Sequence, residues 1–196
     1  MDQFEYVMVL VSIIVGLAIA HTLLGIAGII DRLSRKGDPL ELSLAHAGWL
    51  GHTFLWLVMF WWWEYRLSTT VADWTMGLYL FLIIYAVTIF LLLAVLVPRT
   101  WDGVTSLKEY FLERRAWFYS LVAFATLLDL LDSYLIGGFQ FILDTGYLGM
   151  AIQIATIPVV IIGIRTTNMR IHNIMAAIFF VWQILIGFDH LETLVP

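Results

Sequence analysis

Asp129 stands in an otherwise apolar stretch, Ala116–Ile136, and Asp132 follows it three residues later. On a helix, residues i and i+3 share a face one turn apart. Two carboxylates held together away from water can share a proton or bind a cation, because neither ionises cheaply beside the other. Counting helical rise from the cytoplasmic end of each apolar block puts Asp129, Gln153 and Gln183 at one level, roughly 18–20 Å deep. The same count puts His21 and His52, with Thr88, at a second level, roughly 13–15 Å deep.

Each layer has two readings. The upper one is an ion or proton site, or a helix-packing network in which Asp129 bonds to the two glutamines. The lower one is a pair of imidazoles that ligates haem iron or a metal or relays a proton, or two histidines that each bond a neighbouring hydroxyl or carbonyl. Two histidines are too few for a closed zinc site, which takes four ligands. Small residues flank both, with Gly16, Ala18, Ala20 and Gly25 near His21 and Gly48 and Gly51 beside His52. They suit a porphyrin gap or close helix packing equally. Glu64, Asp189 and His190 are candidates for the outer mouth of a polar track that links the layers.

Other chemistries lack their residues. There is no cysteine, so thiolate metal sites, disulfides and thiol catalysis are excluded. The nucleophile elbow, the His-Glu-x-x-His zinc motif, the P-loop and the Thr-Val-Gly-Tyr-Gly filter do not occur. The expectation is a protein that is not an enzyme. No basic, aromatic-interleaved surface suggests nucleic acid. Cofactor and metal are left open.

The elements that must position these residues are membrane helices. The 196 residues are 62% hydrophobic and only 13% charged, against about a quarter charged in a soluble domain. Mean hydropathy is +0.92. Six apolar blocks are long enough to cross a core of about 30 Å: Phe4–Ile30, Leu42–Trp63, Thr75–Val97, Ala116–Ile136, Tyr147–Ile164 and Ile171–Phe188. Pro98 should end the third, Gly137-Gly138 the fourth, and Pro158 should kink the fifth. Met1-Asp2-Gln3-Phe4-Glu5-Tyr6 is acidic, so the first block reads as a retained helix rather than a signal peptide.

Charge assigns the sides. Arg32, Arg35 and Lys36 follow the first block, Arg99, Lys108, Arg114 and Arg115 the third, and Arg165 and Arg170 the fifth. These are nine of the ten Lys and Arg residues. The positive-inside rule then puts these three loops in the cytoplasm and both termini outside. Asp2, Glu5, Glu64, Asp73, Asp132, Asp144, Asp189 and Glu192 fall toward the outer face, with Arg66. Such a face can concentrate cations, or it merely reflects the positive-inside rule.

Val104, Leu107, Tyr110, Phe111 and Arg114 follow helical spacing and predict an amphipathic helix on the inner surface, anchored by Trp101 and Trp117. Its role is structural or as a docking site. Trp61-Trp62-Trp63, Tyr65 and Trp74 read as an outer aromatic girdle. Three spans followed by three would allow an inverted repeat, with no residue-level echo to support it.

Several stretches carry a resemblance: Phe4-Glu5-Tyr6-Val7 leading into Ser12-Ile13-Ile14-Val15-Gly16-Leu17, His46 with Trp49 ahead of Trp62-Trp63, and Tyr110-Phe111-x-x-Arg114-Arg115. Over the first ~120 residues the chain resembles a widespread, uncharacterised family of small bacterial six-span inner-membrane proteins. The resemblance implies a bacterial inner-membrane location and brings no activity with it.

The expectation is therefore an all-α fold with a single domain over 1–196. It is a polytopic membrane helix bundle of about six transmembrane helices plus one cytoplasmic amphipathic surface helix. Two functions are carried forward. One is a small oligomeric proton or cation channel or transporter using Asp129, Asp132, Gln153, Gln183, Glu64 and Asp189. The other is a non-catalytic subunit or scaffold of a larger membrane complex. A haem-binding redox protein using His21 and His52 is a third, weaker reading. The partners expected are membrane lipid and a second copy of the chain or a membrane-complex partner.

Overall fold

The computed structural model describes residues 3–35, 37, 40–71, 73–144 and 146–189. They form seven α-helices: α1 (Gln3–Ser34), α2 (Leu44–Trp63), α3 (Leu67–Thr70), α4 (Met76–Leu96), α5 (Leu107–Asp144), α6 (Gly146–Arg165) and α7 (Met169–Asp189). One 3₁₀ turn, Glu64–Arg66, joins α2 to α3. Four stretches are long and apolar enough to cross a membrane: Gln3–Ser34, Met76–Leu96, Leu107–Leu135 and Met169–Gly187. Met150–Arg165 is apolar but shorter. In α2, two histidines and five tryptophans replace aliphatic residues and lower its hydropathy.

Local chemistry sets the helix ends. Ser43 caps α2 by accepting from the His46 N–H, and Thr75 caps α4 by accepting from Leu78. Ser106 accepts from the Glu109 N–H at the start of α5, and Asn168 Oδ1 accepts from Arg170 at the start of α7. At the far end of α4, Pro98 has no N–H to continue the ladder, and the helix closes at Leu96.

The expected surface helix and fourth span are one element. α5 starts at Leu107 and runs without a break through Ala116. The reason is packing: Leu107 and Phe111 are buried in the bundle with Phe118 and Tyr119 rather than laid on a surface. Gly137-Gly138 does not end this helix either. α5 continues to Asp144 through Gly138, whose φ of +67° only a residue without Cβ adopts cheaply. Pro158 lies inside α6.

The helix partners are not the sequential ones. α2 packs mainly on α7, α5 on α6, α1 on α4, and α4 also on α5 and α2, while α1 and α2 touch only lightly. Small residues make these approaches. Gly48 and Gly51 lie against Ala176 and Phe180 of α7, and Gly25 lies against Val97 beyond α4.

One end of the bundle is basic. Arg32 is buried there and donates to the carbonyls of Trp101 (3.1 Å) and Val104 (2.5 Å). Trp101 in turn packs on Gly28. Glu41 and Ser106 form a short parallel bridge, with Glu41 N–H donating to Thr105 and Leu107 N–H to Glu41, each at 2.9 Å. The loop after α1 and the loop after α4 are thus fastened together. At the opposite end the ring of Phe4 packs on Tyr65 and Trp74.

Candidate functional site

Asp129 is the hub of a hydrogen-bonded set drawn from four helices. The Tyr85 hydroxyl of α4 donates to its Oδ1 at 2.8 Å. The Gln153 amide of α6 donates to its Oδ2 at 2.8 Å. Trp56 Nε1–H of α2 donates to the Tyr85 oxygen at 3.3 Å. Tyr85 is 2% exposed, so its hydroxyl needs this company. Phe60 and Phe81 hold its ring edge-on and tilted, with centroids 4.9 and 6.1 Å away. Gln153 therefore meets Asp129 as the level count suggested. Gln183 does not. It is buried on α7 and its amide points at the Met59 sulfur, 3.0 Å away.

Beside this set lie two further acids. Glu64 was expected at an outer mouth, yet it is 1% exposed. α2 ends at Trp63, and the 3₁₀ turn folds Glu64 back against the bundle, its N–H still bonded to the Phe60 carbonyl. Its charge interacts with those of Asp132 and Asp129, and Arg66 acts on Glu64 and Asp132 with the opposite sign. Asp132 sits one turn along α5 from Asp129. Glu64 Oε2 and Asp132 Oδ1 are both buried without a hydrogen-bond partner. An ionised carboxylate left so is costly. The arrangement suits a proton held by one of these acids, which removes that cost. Asp189 ends α7, and its side chain, with His190 and Glu192, lies outside the described residues.

Toward the basic end the site is floored by packed apolar side chains. Ile89, Leu92 and Leu93 of α4, Phe118 and Ala125 of α5, and Trp49 of α2 are all fully buried there. Thr88, placed in the lower polar layer by the level count, bonds back to Ile84 of its own helix.

The two histidines of that layer face different partners. His52 donates from Nδ1 to the Phe179 carbonyl of α7 at 3.1 Å. Trp49, Trp56 and Phe179 enclose its ring, with centroids 5.3–5.8 Å apart within the cluster. His21 lies on α1 beside Phe90 of α4, 6.1 Å between centroids. The two rings, expected at one level, thus have different neighbours, because α1 packs mainly on α4 and α2 mainly on α7. A helix so tightly seated on α7 turns His52 away from α1.

His46 and His172 brace the basic end. His46 Nε2–H donates to the Leu96 carbonyl at 2.7 Å. His172 Nε2–H donates to the Thr166 carbonyl at 3.1 Å, which leaves Nδ1 to accept from the Tyr119 hydroxyl at 2.9 Å. Tyr119 lies flat against Gly163 of α6, where any Cβ would meet its ring.

Sequence reasoning missed Tyr85 and Trp56. The signal available was a tyrosine midway along an apolar helix, far from the interface where its hydroxyl would find water. No family of known proteins, no curated protein and no solved structure matches the chain.

Proposed function

We propose that this chain is a six-span protein of the bacterial inner membrane, with both termini outside, that moves protons or small cations. Glu64, Asp129 and Asp132 hold the ion, and Tyr85 and Gln153 position Asp129. The observation that carries this reading is the pair of buried carboxyl oxygens, Glu64 Oε2 and Asp132 Oδ1, that have no hydrogen-bond partner, beside the half-buried Asp129. A low-dielectric site tolerates such a group when a proton or cation completes it. The apolar floor beneath the acids favours a transporter that must rearrange over a permanently open channel.

The test is flux into proteoliposomes, followed with a proton-sensitive dye inside and with rubidium or sodium tracer. Wild type should carry one of these species, and Asp129→Asn should not. A folded wild type that moves neither protons nor monovalent cations contradicts the proposal.

The same apolar floor favours a second reading, in which the chain is a non-catalytic subunit and the acids only lock helices together. Gentle detergent extraction separates the two. Reproducible co-purification with other chains supports the subunit reading, and a lone homo-oligomer counts against it.

A further inference from the structure

At the basic end, a cavity of about 440 Å³ opens between the end of α4 and the first turns of α5. Arg99 and Arg114 both line it, with Tyr110 between them on the α5 side and Trp117 at its edge. The two guanidinium groups lie close enough to act electrostatically on the Tyr110 hydroxyl. Arg114 is held in place: its guanidinium carbon sits 3.8 Å over the Tyr110 ring, and Nη1 reaches Glu113 at 3.1 Å. Arg99 is exposed. Val95 of α4 supplies apolar wall, and Asp102 is the acid among the lining residues.

Trp117 gives the cavity its setting. Its side chain is 73% exposed on α5, just where that helix enters the apolar stretch. An indole in such a place belongs at the headgroup level of a bilayer. The wall of the cavity is also pre-formed, because buried Arg32 holds the Trp101 and Val104 carbonyls and so fixes the loop that carries Arg99 and Asp102.

We propose that this cavity binds the phosphodiester headgroup of an anionic phospholipid. Arg99 and Arg114 take the phosphate oxygens, Trp117 and Val95 flank the first acyl carbons, and the Asp102 carboxylate disfavours a second phosphate. Paired arginines suit this ligand because the planar guanidinium presents a fork of donors to phosphate oxygens. Basic pockets between helices at a bilayer surface are suited to acidic lipid headgroups. The inference needs the chain to lie in a membrane and is independent of any ion movement by the three acids.

The test is native mass spectrometry of the full chain released from detergent containing phosphatidylglycerol, phosphatidylcholine or inorganic phosphate. Wild type should retain phosphatidylglycerol in preference to phosphatidylcholine. Arg99→Gln should weaken that retention about fivefold, the effect of one arginine at a membrane surface. Arg99 is exposed, so the variant should fold, and matching thermal unfolding checks this. Asp102→Asn should strengthen retention, and Arg170→Gln, at the same end but away from the cavity, should leave it unchanged. Equal retention of the two lipids by wild type overturns the proposal. So does an Arg99→Gln effect matched by Arg170→Gln, or displacement of the lipid by inorganic phosphate at comparable concentration.

Discussion

Replacing Asp129 with Asn separates the two meanings of the half-buried hub. In the native protein Asp129 accepts from Tyr85 on one oxygen and from Gln153 on the other, each at 2.8 Å. Asn keeps the shape and one of these acceptors. Its Oδ1 still receives the Tyr85 hydroxyl. Its Nδ2 donates to Gln153 once that amide turns its oxygen inward, which costs only a rotation about a terminal bond. The same change removes a negative charge from beside Glu64 and Asp132. Stability should therefore change by less than about 1 kcal/mol. Asp129→Ala has no such rescue. It leaves the Tyr85 hydroxyl and the Gln153 amide without acceptors in an apolar setting, each costing about 1–3 kcal/mol, and opens a small cavity. Its loss should total about 2–6 kcal/mol. Equilibrium unfolding in mixed micelles, read by tryptophan fluorescence, measures both. If Asn is as damaging as Ala, the hydrogen-bond geometry assigned to Asp129 is wrong. If Asn is stable and flux is lost, the acid and not the packing serves function.

Three further outcomes follow from the same packing. Glu64→Gln removes a buried carboxyl group whose Oε2 has no hydrogen-bond partner, so unfolding free energy should stay equal or rise by about 1 kcal/mol; a fall of more than about 2 kcal/mol means the carboxylate has a compensating partner. Gly163→Ala drives a methyl into the Tyr119 ring and should cost about 1–3 kcal/mol, while Gly16→Ala, which meets open space, should cost nothing in the same unfolding assay. Arg32→Ala strips the donors from the Trp101 and Val104 carbonyls, so limited proteolysis from the basic side should cut between residues 99 and 106 sooner than in wild type; unchanged cleavage would show that the Glu41 and Ser106 bridge alone holds the loop.

Most of the helical plan was legible because it rests on local chemistry. Each of the six apolar blocks coincides with a helix, and the boundaries at Ser43, Thr75 and Pro98 follow from side chains that cap or break a helix wherever they occur. α5 was less legible. The polar first turns suggested a separate surface helix, but Leu107 and Phe111 have enough buried area in the bundle to keep the axis straight through Ala116. Gly137-Gly138 looks like a stop in sequence, yet glycine permits a left-handed residue without ending the hydrogen-bonded run.

The site was legible in depth and illegible in azimuth. Helical rise placed Asp129 and Gln153 at one level, because level depends only on counting. It could not say which faces meet. The partners of the two histidines show why: Gly25 and Gly28 seat α1 near the end of α4, so His21 meets Phe90, while Gly48 and Gly51 seat α2 on α7, so His52 meets Phe179. Glu64 was placed at a mouth because it follows Trp63, and only the 3₁₀ turn shows it folded inward.

The central claim is that Glu64, Asp129 and Asp132 together hold an exchangeable proton or cation. Infrared difference spectroscopy of the protein in lipid reads this directly through the carbonyl stretch of neutral carboxyl groups. Wild type should show a neutral carboxyl band near neutral pH, or one that disappears when a particular alkali cation is added. That band should shift in deuterated water and be lost or displaced in Glu64→Gln and Asp132→Asn. A wild-type spectrum with no neutral carboxyl band and no response to any monovalent cation would contradict the account.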